Sequence, residues 1–382
     1  MNGNLNRAEL LSLVERVFAL RATDEMLIVM LDLPDNATPD SDAWKQRREI
    51  GANWVKEIAG QLGKVQVRLC LYRNVRTNNA ELPERAWLLE TPTLPAGIAD
   101  LNPDESLSFD QIFARTSMIL APTEFSATAP LKLKAREFKF RAATMGGFSP
   151  AMIPALRLDY GEINRRVDHL KQLLDQAGAA EFVFETDGTD QHRLILDLRH
   201  RSAHASGGLL REPGTAGNLP SGETYIVPYE GEQEDDPSLS RGVLPVQFGD
   251  DLVLYTIEEN RAVAAQGSGE AAQREEERLR REPAYGNIAE LGLGVLDDFG
   301  IEPCGSILLD EKLGLHIAFG RSDHFGGQVG PADFSGPEAV VHIDRVYLPS
   351  LQPRVNVCSV DLIGIGEEPL PLMRDGRYVL AL

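Results

Sequence analysis

The stretch MLIVMLDL, Met26 to Leu33, is apolar at every position except Asp32. A strand with one wet face alternates apolar and polar residues. This one does not, which predicts burial on both faces, as in the parallel sheet of an α/β domain. Working outward, residues 7–21 carry an amphipathic helix pattern, and a second helix pattern covers about 41–62. VQVRLCLY (65–72) reads as a strand, and TSMILAP (116–122) as another, after a loop rich in proline and acidic residues. These elements place an N-terminal α/β domain over 1–150, ending near ATMGGFSP. Beyond it, DYGEINRRVDHLKQLLDQAG (159–178) predicts an amphipathic helix, and strands are expected at 180–186 and at RLILDL (193–198). The remainder is mostly strand pattern divided by glycine and proline turns, so 151–382 reads as an α+β, strand-rich C-terminal domain. Within it, GEAAQREEERLRRE (269–282) predicts a charged, solvated helix, and EGEQEDDP (230–237) a solvated loop.

A chain of 382 residues suits two domains of about 150 residues or more. Its formal net charge of −20, with no run of lysine and arginine, argues against a nucleic-acid partner. Three scattered cysteines without a CxxC pair point to a reducing compartment. The first twenty residues are interrupted by Glu9, Glu15 and Arg16 and do not read as a secretory signal. No apolar run approaches the roughly 18 residues that a membrane span needs. A soluble cytoplasmic protein without a membrane partner is the expectation.

The chemistry concentrates in the second half. In AVVHIDRVYL (339–348), His342 and Asp344 share one face of a predicted strand, at a spacing of about 7 Å. GLHIAFG repeats the arrangement with His316. Imidazole nitrogen and carboxylate oxygen together suit zinc, manganese, iron or cobalt. The structural alternative is a hydrogen-bonded Asp–His pair without metal. Glu223 closes the turn NLPSGE, where a carboxylate can aim into a cleft or simply face solvent. Glu290, in GNIAELGLG, would close a capping box behind Asn287 if a helix began there, but Gly292 and Gly294 make that helix costly. His200 and His204 have an i,i+4 zinc spacing, yet they follow a strand and precede SGG. His169 and His192 read as an exposed helix position and a turn neighbour.

Taken in order, these pieces resemble the metallopeptidase family of aminopeptidase T, aminopeptidase S and PepS. NLPSGE is similar to that family's first glutamate turn, IAELGLG to its second glutamate segment, and LDEKLGLHIAFG to its D-E-K and H-I-A block. SGPEAVVHID resembles its histidine–aspartate ending, and PLMRDGRYV its closing strand. The likeness covers roughly 150–382 well and the first 150 residues loosely. It implies a C-terminal metal-binding catalytic domain in which Glu223, Glu290, His316, His342 and Asp344 hold two divalent cations (Zn, Co or Mn), with Glu290 as the bridge. It also implies an activated water that removes N-terminal residues from short peptides, and a homodimer. Glu311 stands as a proton-transfer or supporting group, or else as the partner of Lys312.

The chain departs from the family pattern in two places. The stretch between DEK and HIA is shorter. The tyrosine expected seven residues after His316 is replaced by Asp323, with His324 beside it, and either side chain can stand in as ligand or proton donor. Ring-cleaving dioxygenases of the dihydroxypyridine type resemble the same aminopeptidases and use one ferrous ion, for which two histidines and one carboxylate suffice. A non-catalytic relative with a purely hydrogen-bonded cluster is the third reading.

Overall fold

A computed structural model describes residues 3–380 and 382 of the chain. Met26–Leu33 is buried at every position and pairs in parallel with Gln66–Arg73 on one side and Met118–Ala121 on the other. This is the double-sided burial its nearly all-apolar run requires. It lies inside a seven-stranded sheet ordered Ala216–Asn218, Arg141–Thr144, Met118–Ala121, Met26–Leu33, Gln66–Arg73, Arg85–Leu89 and Leu107–Ser108. The first five strands run parallel and the last two add antiparallel.

Two helices precede and follow the central strand in sequence. Arg7–Phe18 starts on a capping box, in which Asn6 Oδ1 accepts from Glu9 N–H and Glu9 answers the Asn6 amide. It buries Leu10, Leu13, Val14 and Val17. Asp42–Ile58 is capped by Ser41 and buries Trp44, Trp54, Val55 and Ile58. Asp32, the polar exception in the central strand, is fully buried. It accepts from the amides of Glu124 (2.8 Å) and Phe125 (3.0 Å) and from Trp44 Nε1 (3.1 Å).

The chain divides into two compact units, Met1–Asn164 with Ser206–Ser221, and Arg165–Ala205 with Gly222–Leu382. The return of Ser206–Ser221 to the first unit follows from Ala216–Asn218, which extends the parallel sheet beside Arg141–Thr144. The helix expected at 159–178 spans Tyr160–Gln176.

The second unit contains an eight-stranded sheet ordered Arg261–Gln266, Asp251–Glu258, Arg241–Phe248, Asp190–Asp197, Ala179–Thr186, Val355–Ile363, Leu370–Arg374 and Arg377–Tyr378. Its neighbouring strands all pair antiparallel. A five-stranded sheet runs in the order His342–Val346, Leu315–Gly320, Ile288–Gly294, Glu223–Ile226 and His204–Ser206. The charged helix occupies Glu270–Arg281 but is not wholly solvated: Glu275 is buried and accepts from the hydroxyls of Tyr255 and Tyr285. Nor is the acidic loop free, because the Glu230 side chain is only 4% exposed and accepts from Asn287 Nδ2, Ser322 Oγ and the Gln328 amide. Among the described residues no helix is long and apolar enough to cross a membrane.

Candidate metal centre

The five-stranded sheet carries its polar residues on alternate positions of four neighbouring strands. Glu290 lies on Ile288–Gly294, a strand rather than the start of a helix, and Asn287 donates to Glu230 and to the Gly320 carbonyl instead of capping. Antiparallel register sets Tyr225, Gly292, His316 and Val346 in one row, and Glu290, Ala318 and Asp344 in the next. Small residues between the polar ones leave room for them. A methyl group on Gly292 would lie 1.8 Å from His316 Nε2, so the imidazole folds into the space that this glycine vacates.

The five expected ligands converge. His316 Nε2 lies 3.2 Å from Glu290 Oε1 and 3.7 Å from Glu223 Oε2. On the other side, His342 Nε2 lies 3.2 Å from Glu290 Oε2 and 3.4 Å from Asp344 Oδ1. Two ligand groups result, Glu223–Glu290–His316 and Glu290–His342–Asp344, each with donor atoms within 4.8 Å of one another. Glu290 belongs to both, one oxygen toward each histidine.

Hydrogen bonding assigns the imidazoles their roles. His342 Nδ1 donates to the Arg321 carbonyl (2.8 Å) and His316 Nδ1 to that of Gly314 (3.4 Å), which leaves both Nε2 lone pairs toward carboxylates. Lone pairs facing lone pairs demand a proton or a cation between them. Burial on its own would depress the His316 imidazole, but Glu290, backed by Asp344 and Glu223, pushes it up to about 9. Burial likewise works against protonation of His342, yet Asp344 and Glu290 raise it well above the ordinary histidine range. Glu290 is held below the usual carboxylate range, its burial outweighed by His316 and His342.

The remaining candidates divide. Glu311 is bonded to the fully buried Lys312, and burial together with the charges of Glu223 and Asp344 pushes its carboxyl up to about 8 against the pull of Lys312. Asp323 belongs to neither ligand group; its carboxylate is taken by Arg321, at 2.5 Å from Nε. His324 also lies outside the ligand groups. Its ring packs on Phe325 and edges His342, and burial plus the nearby positive groups lowers it to about 4. His200 and His204 do not meet as a zinc pair. His200 contacts Asp236, whereas His204 stacks on Tyr225 and bonds the Phe325 carbonyl.

Two residues, Tyr225 and Phe325, and one pairing of Lys312 lie outside the sequence reading. Lys312 donates to Glu223 Oε1 at 2.8 Å. Tyr225 stands on the ligand face two residues beyond Glu223, and strand alternation alone could have found it. Phe325 links Tyr225 (ring centroids 4.8 Å apart) to His342 (5.5 Å).

The residues fit a bound cation. Glu223 Oε2 is buried without a hydrogen-bond partner, Gly292 supplies the space, and the donors are imidazole nitrogens and carboxylate oxygens. No protein-family profile and no curated protein matches the sequence. Two solved structures share its fold over nearly their whole length. One is 2,5-dihydroxypyridine dioxygenase from Pseudomonas putida KT2440, with TM-score 0.59, 14% identity, and 99% of this chain and 99% of that chain covered. The other is wild-type AmpT, aminopeptidase T, from Thermus thermophilus, with TM-score 0.55, 17% identity, and 98% and 99% covered. The chain therefore has a fold found in an aminopeptidase and in a dioxygenase, with a cluster of residues suited to metal on its five-stranded sheet.

Proposed function

We propose that the chain is a metal-dependent aminopeptidase that removes N-terminal residues from short peptides. The observation that carries this reading is Glu290, which offers one oxygen to the His316 side and the other to the His342 side, an arrangement that would let it serve both ligand groups. Glu223, Glu290 and His316 would hold one divalent ion, and Glu290, His342 and Asp344 the other. Such a pair supplies an activated water and a polarised carbonyl.

The protein's own groups do the rest. The Arg321 and Gly314 carbonyls fix the tautomers of the two histidines. Glu311, bonded to Lys312 beside the ligand Glu223, is the carboxyl group assigned to carry a proton to the departing amine. Tyr225 and Phe325 give the centre an aromatic wall that excludes water. Asp323, engaged by Arg321, is assigned no part.

Purified protein loaded with Co²⁺, Mn²⁺ or Zn²⁺ should release amino acids from aminoacyl p-nitroanilides, and chelation should stop it. Absence of turnover across a broad panel, with two ions per chain verified, sinks the reading.

The rings gathered on His342, together with the fold shared with a dioxygenase, favour one second reading: a single Fe(II) that Glu290, His342 and Asp344 would hold for opening a hydroxylated ring. One iron per chain with oxygen uptake on such a ring would select it. Failure of elemental analysis to find any divalent metal would leave a non-catalytic protein.

A further inference from the structure

The two oxygens of Glu223 have different fates. Oε1 accepts from Lys312 Nζ at 2.8 Å, while Oε2 is the orphan that faces His316 Nε2. Lys312 has no exposure to solvent, and its ammonium is shared between Glu223 and Glu311. Its backbone is fixed as firmly as its side chain. The Lys312 carbonyl accepts from the Leu296 amide at 2.8 Å, and a methyl on Gly294 would come within 2.2 Å of the Lys312 carbonyl carbon. The carboxylates of the other half, Glu290 and Asp344, are paired with imidazoles instead.

We propose that Lys312 is a built-in cation that makes the two metal positions unequal. The Glu290–His342–Asp344 position fills first and holds its ion tightly; the Glu223–Glu290–His316 position fills second and exchanges. The proposal rests on the reading of the centre as a divalent-metal site. An ion on Glu223 Oε2 would sit one carboxylate away from a fixed ammonium, in surroundings too dry to screen the repulsion. Lys312 also claims one of the two oxygens of Glu223, so Glu223 gives this position one donor atom where a free glutamate would give two. Lys312 is thus a positioning residue, and occupancy of the second position follows the free metal concentration.

Calorimetric titration of the metal-free full chain with Mn²⁺, and separately with Zn²⁺, tests this. Two binding steps of different affinity are expected. In Lys312→Met the weaker step should tighten by about tenfold or more, with the tighter step little changed. Lys312→Arg, which keeps the charge, should retain two unequal steps. One step in the wild type that becomes two in Lys312→Met supports the proposal equally. Equal wild-type steps, one step in both proteins, or an unchanged or weakened second step in folded Lys312→Met overturns it.

The filling order is also read without altering Lys312. His342→Ala should lose the tight step and His316→Ala the loose one; the reverse assignment overturns the proposal even if Lys312→Met does not fold. No binding of either ion by the wild type defeats the metal-site reading itself.

Discussion

Asp32 and Glu290 are both carboxylates buried in strands that are covered at every position, one in the parallel sheet and one in the five-stranded sheet. Their surroundings are opposite. Asp32 is met by N–H donors, two from the backbone and one from an indole. Glu290 meets imidazole nitrogens whose hydrogens are committed to carbonyls, and its neighbour Glu223 keeps one oxygen that nothing answers. Burial does not separate scaffold from chemistry in this molecule. The partner does: a carboxylate answered by fixed N–H donors is finished, and one facing imidazole Nε2 atoms needs a proton or a cation between them.

The comparison breaks most visibly if Glu290 is altered. Glu290→Ala removes the ligand common to both groups, and affinity for both ions should fall by more than about a hundredfold, read by calorimetry and by metal content after dialysis. Retention of two ions by that variant would erase the distinction from Asp32. The reciprocal change is Asp32→Ala. Three buried N–H groups lose their acceptor, and unfolding free energy should drop by about 3 kcal/mol in urea, with metal per folded chain unaltered.

A finer probe is Gly292→Ala, whose methyl would occupy the place of His316 Nε2. It should weaken metal binding by about tenfold while the sheet still forms. Unchanged affinity would show that the imidazole does not need that space.

The smallest effect concerns a scaffold carboxylate of the second unit. Burial alone would raise Asp197, but Arg199 and the Leu239 and Arg199 amides hold it below the ordinary aspartate range. Its folded value therefore lies under the unfolded one of about 3.9, so its contribution is complete above that pH and fades as pH falls through the folded value. The urea midpoint of the wild type should decline below about pH 4 more steeply than that of Asp197→Asn. Parallel declines would remove Asp197 from the scaffold class.

Much of this was legible in the sequence, for physical reasons. A nearly all-apolar run in Met26–Leu33 admits few surroundings other than a covered parallel sheet. The alternation in AVVHIDRVYL put His342 and Asp344 on one face, and the structure brings them together with His316, Glu223 and Glu290. What stayed hidden depends on separation or on equivalence. Lys312 meets Glu223 across 89 positions, and no local pattern announces such a pair. Among Glu275, Glu276 and Glu277 only the first is buried; the difference lies in helical phase with Ala271, Ala272 and Leu279 rather than in residue type. Counting along the chain placed Asp323 where the resembled family has tyrosine. In the fold the 3-10 turn Asp323–Phe325 gives Asp323 to Arg321 and lays Phe325 against Tyr225 and His342.

The ligands hang from four strands spread between Glu223 and Asp344, so no fragment of the chain owns the centre. The outermost strand, His342–Val346, is held by one neighbour, and a slip of a single residue would turn His342 and Asp344 to the opposite face. If the cluster holds metal as proposed, metal affinity gauges strand registry. A variant that keeps its secondary structure and all five ligands but binds no ion would then have lost its alignment, an error that spectroscopy of the backbone would miss.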